Sequence, residues 1–179
     1  MTALEATPLS PQSSQGGLRS RTITWTDPAQ SRFRGRSMSG YERLVAMQRG
    51  ELAPPPAVAL LGLDLDEVEP GRTVFSMLAD EVHENPMGTM HGGIVATLVD
   101  TAMGCALSSR LPADAGFTTL ELKTNYVRAI TQATGRVYAE GTVLHSGGRV
   151  AMTEARVHDS SGTLYAHATS TCLILRGTR

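Results

Sequence analysis

From Gly92 to Ser108 the chain reads GGIVATLVDTAMGCALS, an apolar and small-residue run broken by one ionisable side chain, Asp100. At about 17 residues the run is too long for an ordinary strand and suits a buried helix. It is apolar nearly all round, so the rest of the chain must wrap it. That requirement constrains the fold more than any other feature, and the lone carboxylate in its middle bears on function.

The wrapping material is β. Upstream, LLGLDLDEVEPGRTVFSML holds two strand-like runs joined at Glu69-Pro70-Gly71, a turn between antiparallel strands. Downstream, residues 117–127, 136–145, 149–159 and 163–173 each alternate. In the second of these, Val137, Ala139, Gly141 and Val143 oppose Arg136, Tyr138, Glu140 and Thr142. HSGG (145–148) and DSSG (159–162) read as hairpin loops. Several inner positions are small, namely Ala139, Gly141, Ala151, Ala155, Ala166 and Ala168, which lets a sheet curl closely around a helix. The order β-β-α-β-β-β-β predicts an α+β protein of hot-dog architecture, a curved antiparallel sheet wrapped around one long central helix.

With 179 residues the chain suits one domain with a proper core. Residues 1–38 read as a polar N-terminal extension, partly disordered, and residues 39–179 as the single domain. Trp25 is the exception in the extension, expected to pack onto something. Ser39-Gly-Tyr-Glu42 is a capping box opening a short helix that should stop at Gly50, and Pro54-Pro55-Pro56 should forbid its return. A net charge of −1 gives no overall attraction to nucleic acid or anionic membrane, so an anionic ligand must be held by local arginines. No run reaches the ~18 apolar residues of a membrane span, and the start of the chain lacks a secretory h-region. Cys105 and Cys172 lie in apolar runs and read as buried thiols, so a cytoplasmic setting is expected.

The stretch NPMGTMHGGIVATLVDTAMG, with Asn85, His91, Gly92, Gly93 and Asp100 at fixed spacing, resembles the signature of hot-dog acyl-CoA thioesterases of the phenylacetate-pathway (PaaI) type. The resemblance covers roughly residues 39–175. It implies hydrolysis of an acyl-CoA, aromatic (phenylacetyl or hydroxybenzoyl) or medium- to long-chain. It also implies at least a homodimer, with a homotetramer as the further expectation. No cofactor is implied; coenzyme A enters only as part of the substrate, and no metal is expected.

The residues fit such chemistry. Gly92 opens the helix, so its N–H is an unpaired donor at a positive helix end, and without a side chain a carbonyl oxygen can approach it. One such oxyanion donor is typically worth roughly 10²–10³ in rate. His91 can steady that turn or polarise the carbonyl. The Asn85 amide can hold a water or the thioester, or simply cap a turn before Pro86. Asp100 is the candidate general base or nucleophile, and a carboxylate on an apolar helix should have a raised pKa. Eight helical residues put Asp100 about 12 Å from Gly92 along the axis. A base must act within about 3 Å or through one water, so Asp100 should serve the Gly92 site of a two-fold partner whose helix runs antiparallel.

By the resemblance, Thr119 holds the attacking water beside the acid, with Thr118 as its rival. The CoA moiety follows the loop of His145, Gly147, Gly148, Arg149 and Val150, with Gly93, Tyr126 and Arg128 nearby; Arg149 could hold a phosphate. Met103, Gly104 and Phe117 would shape the acyl pocket, Gly104 leaving room for a bulky group. His83, His158 and His167 are given no functional role. The alternatives are a non-catalytic acyl-CoA binder or sensor and a 3-hydroxyacyl thioester dehydratase. GxSxG, P-loop, GxGxxG and HExxH patterns are missing from the sequence.

Overall fold

A computed structural model describes residues 17–177. The long apolar run is a single helix, α4 (Gly92–Ser108). Among the described residues three short helices precede it: α1 (Pro28–Arg34), α2 (Gly40–Gln48) and α3 (Pro56–Leu61). The strands are β1 (Leu63–Glu69), β2 (Arg72–Leu78), β3 (Ala115–Tyr126), β4 (Arg136–Ser146), β5 (Val150–Asp159) and β6 (Leu164–Arg176). They form one antiparallel sheet in the order β1-β2-β4-β5-β6-β3, with α4 packed along it. This is the hot-dog arrangement expected from the alternation.

Small residues set the closeness of helix and sheet. Ala139, Ala151, Ala155, Ala166 and Ala168 are all buried. A methyl group added at Gly141 would come within 2.5 Å of the Ala102 carbonyl carbon and oxygen, so the β4 backbone rides directly on the helix backbone. Leu98, Val99, Ala102, Met103, Ala106 and Leu107 of α4 are fully buried, facing Phe75, Met77, Val137 and Val157 among others. The Thr73 hydroxyl donates to the Ala102 carbonyl at 2.8 Å, which satisfies the one polar atom it brings into the core. Irregular registers at 65–67, 119–121, 143–145 and 157–158 add local twist and help the sheet curl.

The N-terminal extension carries a short helix. Residues 28–34 are helical: the Asp27 carboxylate accepts the Ala29 N–H at 2.9 Å, and Pro28 occupies the first helical position, where its missing N–H costs nothing. Trp25, expected to pack, is 61% exposed. The disorder expected of residues 1–16 falls outside the described residues. The Ser39 capping box forms as read, and α2 ends before Gly50, whose φ is 72°. The proline run does not keep the chain from turning helical again, because Pro56 starts α3. Leu60 and Leu61, read as strand, therefore end that helix, and Gly62 caps it in the left-handed region. No helix among the described residues is long and apolar enough to cross a membrane.

Candidate functional site

The loop before α4 is built by its own side chains. Asn85 Oδ1 accepts the N–H groups of Met87 (2.9 Å) and Thr89 (3.3 Å), while its Nδ2 donates to the Thr89 hydroxyl at 2.9 Å. The amide is thus engaged in holding a turn, the structural one of its two expected roles. His91 is the N-cap of α4, its Nδ1 accepting the Gly93 N–H at 2.9 Å, so it steadies the helix start as expected.

Gly92 follows as the first helical residue, and among the described residues its N–H has no acceptor. The Tyr126 hydroxyl donates to the Gly92 carbonyl at 2.9 Å, and a Cβ at 92 would lie 3.1 Å from that ring. A side chain at 92 would therefore press on the Tyr126 ring. Asn85, Gly92, Tyr126 and Arg128 line one cleft of about 370 Å³, floored by Met90, Val95, Ile130, Tyr165 and Ala166.

Asp100 lies elsewhere, eight residues along α4. It is half-buried rather than sealed, so the desolvation expected of an acid inside an apolar helix is only partial. Thr119 Oγ1 donates to Asp100 Oδ1 at 3.0 Å, whereas Thr118 faces solvent. The register irregularity between Thr119 and Glu121 follows directly, leaving Leu120 57% exposed. On the same helix, burial and then the Asp100 charge push the Cys105 thiol up to about 12, which disfavours its thiolate. Cys105 and Cys172 are both unpaired.

Two expectations need correction. The β4–β5 hairpin with His145, Gly147, Gly148, Arg149 and Val150 is not near Tyr126 and Arg128 within one chain. Val150 pairs with Leu173, which pairs with Thr118, whereas Tyr126 pairs with Ala166. Eight strand residues, about 25 Å, separate Thr118 from Tyr126. The hairpin thus shares its end of the sheet with Asp100 and Thr119. Gly104 also leaves no open room: a methyl there would meet the Phe117 ring at 2.8 Å, and Met103 is fully buried core. The glycine accommodates Phe117.

The candidate residues therefore fall into two separated groups on one chain. One holds the free Gly92 N–H with His91, Tyr126 and Arg128; the other holds Asp100, Thr119 and the hairpin. Between them α4 shows an incompletely covered stripe, with Gly93 and Thr97 exposed and Asp100 and Thr101 half-buried. Beside it runs β3, an edge strand of 12 residues whose outer edge pairs with no strand among the described residues.

Residues 87–166 match the Thioesterase superfamily. The esterase candidate VNG_1336C of Halobacterium salinarum is 32% identical over 117 residues, 63% of this chain and 76% of that protein. Acyl-coenzyme A thioesterase 13 of Homo sapiens is 42% identical over 45 residues, 25% of this chain and 32% of that protein. The E. coli PaaI protein from the phenylacetic acid degradation operon is 20% identical, with a TM-score of 0.68 over 79% of this chain and 97% of that one, a likeness of fold.

Proposed function

Because this chain belongs to the thioesterase superfamily and is a thioester hydrolase, we propose that it cleaves an acyl-CoA to the free acid and CoA at a site shared by two subunits. One observation carries the reading. The oxyanion donor at Gly92 and the carboxylate at Asp100 border the same open stripe of α4 but stand eight residues apart. At about 1.5 Å per residue they cannot reach one carbonyl within a chain. A two-fold partner with its helix antiparallel brings Asp100 of one subunit beside Gly92 of the other, and the free edge of β3 supports that pairing.

In the composite site the Gly92 N–H holds the developing oxyanion and Tyr126 fixes the carbonyl of the same residue. Asp100, steadied by Thr119, takes a proton from water as it attacks the thioester carbon; the carbon–sulfur bond then breaks, Asp100 gives that proton to the sulfur, and CoA leaves as its thiol. His91 and Asn85 hold the turn. The same two-fold operation brings Arg128 and Tyr126 toward the partner's hairpin, so the CoA-binding residues come together across subunits as well. Exposed Leu144, Val150 and Met152 on the hairpin side support further pairing into a tetramer. The unpaired thiols support a cytoplasmic setting.

The test is thiol release from phenylacetyl-, 4-hydroxybenzoyl-, hexanoyl- and palmitoyl-CoA, with Asp100→Asn alongside. Turnover of one or more that vanishes in the mutant is the expected result. Binding without turnover across the panel would overturn the reading in favour of an acyl-CoA binder.

A further inference from the structure

His83 belongs to none of the motifs above, yet it stands at the base of the loop that delivers Gly92. It ends the short 3-10 turn Glu81–His83 and is only 5% exposed. Its carbonyl accepts the His91 N–H at 2.7 Å, so residues 84–90 form a loop closed at its neck by this bond, with Glu84 and Met90 bridged just inside. The direction of that carbonyl fixes where His91, and with it the Gly92 N–H, can point.

The imidazole controls the peptide from below. Nδ1 accepts the Asp80 N–H at 3.4 Å while the His83 N–H donates to the Asp80 carbonyl at 3.0 Å, so ring and backbone together close the turn. Nε2 is buried facing the Leu61 and Leu78 backbone, with no hydrogen bond of good geometry among the described residues. The Nδ1 bond to the Asp80 N–H is the contact that an apolar side chain of similar size could not make, and it acts on the turn that carries the His83 carbonyl.

We infer that His83 is a positioning residue for the oxyanion-binding turn, its ring holding the 80–83 turn so that the His83 carbonyl fixes His91 and the Gly92 N–H. The inference rests on the role given to Gly92 above. The experiment compares His83→Leu, which lacks an acceptor, with His83→Asn, whose Oδ1 replaces Nδ1. Thiol release and thermal melting are followed, with Asp100→Asn in parallel. The expected result is that His83→Leu loses about tenfold or more in kcat, out of proportion to any change in its melting temperature, since small displacements at a reacting centre are costly. KM should stay within about twofold, and His83→Asn should regain most of the lost rate.

Wild-type turnover in His83→Leu would overturn the inference. So would a loss of rate that tracks a lower melting temperature with no recovery in His83→Asn, which marks a packing residue. Full activity in Asp100→Asn would instead remove the composite-site reading beneath it, an outcome told apart because it appears without any change at position 83.

Discussion

A mixed-dimer experiment tests the shared site most directly. Gly92→Pro deletes the proposed oxyanion donor with little harm to the helix. Position 92 is the first helical residue, where proline is favoured, and His91 at φ −60°, ψ 132° already has the backbone a residue before proline needs. The ring will displace Tyr126, whose Cζ and hydroxyl lie 3.1 Å from a Cβ at 92, but Tyr126 is 56% exposed and can swing outward. Loss of one oxyanion donor predicts a rate lower by roughly 10²–10³, and Asp100→Asn a loss of roughly 10²–10⁴. Separately, then, both homodimers are nearly inactive. Co-refolded in equal amounts with random pairing, half the dimers are mixed, and each mixed dimer has one intact site of two. Activity should return to about a quarter of wild type. The assay is thiol release from the best substrate of the panel, with tagged subunits purified as mixed dimers to remove the homodimers. If purified mixed dimers stay as inactive as their parents, Asp100 and Gly92 act within one chain, and the helical spacing argument fails.

Thr119→Val keeps a β-branched residue in β3 but removes the hydroxyl that donates to Asp100; kcat should fall about tenfold, the scale of one hydrogen bond to a charged group, while Thr118→Val should leave it unchanged. Gly141→Ala places a methyl 2.5 Å from the Ala102 backbone, neither side of which can yield as a side chain would. Overpacking of this kind costs about 1–3 kcal/mol, so melting should drop by about 5 °C or more, and an unchanged melting temperature would refute the close helix–sheet contact. Burial, with Arg21 adding to it against the opposing charge of Asp80, lowers the His83 pKa below the usual 6.5. The folded protein therefore binds this proton less readily than the unfolded chain. The associated stability is complete above about pH 6.5 and is lost as pH falls toward the folded-state value. Urea unfolding at about pH 5 and about pH 7.5 should show that loss in the wild type and less of it in His83→Leu.

How much was legible beforehand differs by residue. The extent of α4, the capping box at Ser39 and the inner small residues of β4–β6 follow from periodicity and local chemistry, which neighbouring residues largely decide. The helix at Pro28–Arg34 was equally local, signalled by Asp27-Pro28, but was masked by its polar surroundings. Proline's dual character produced the error at Pro56: it ends one helix and can begin the next.

The candidate site divides the same way. That Gly92 offers a helix-end N–H and that Asp100 is the one acid on an apolar helix could be read from residue types and spacing alone. That Thr119 rather than Thr118 meets Asp100 depends on the β3–β6 register, and that Gly104 houses Phe117 depends on how β3 lies across α4. That Tyr126 braces Gly92 while Arg149 lies at the opposite end depends on strand order, which pairs residues far apart in the chain. Periodicity reports which face of an element is buried, because that is a property of the element itself; which side chains meet across elements is set only when the sheet closes on the helix.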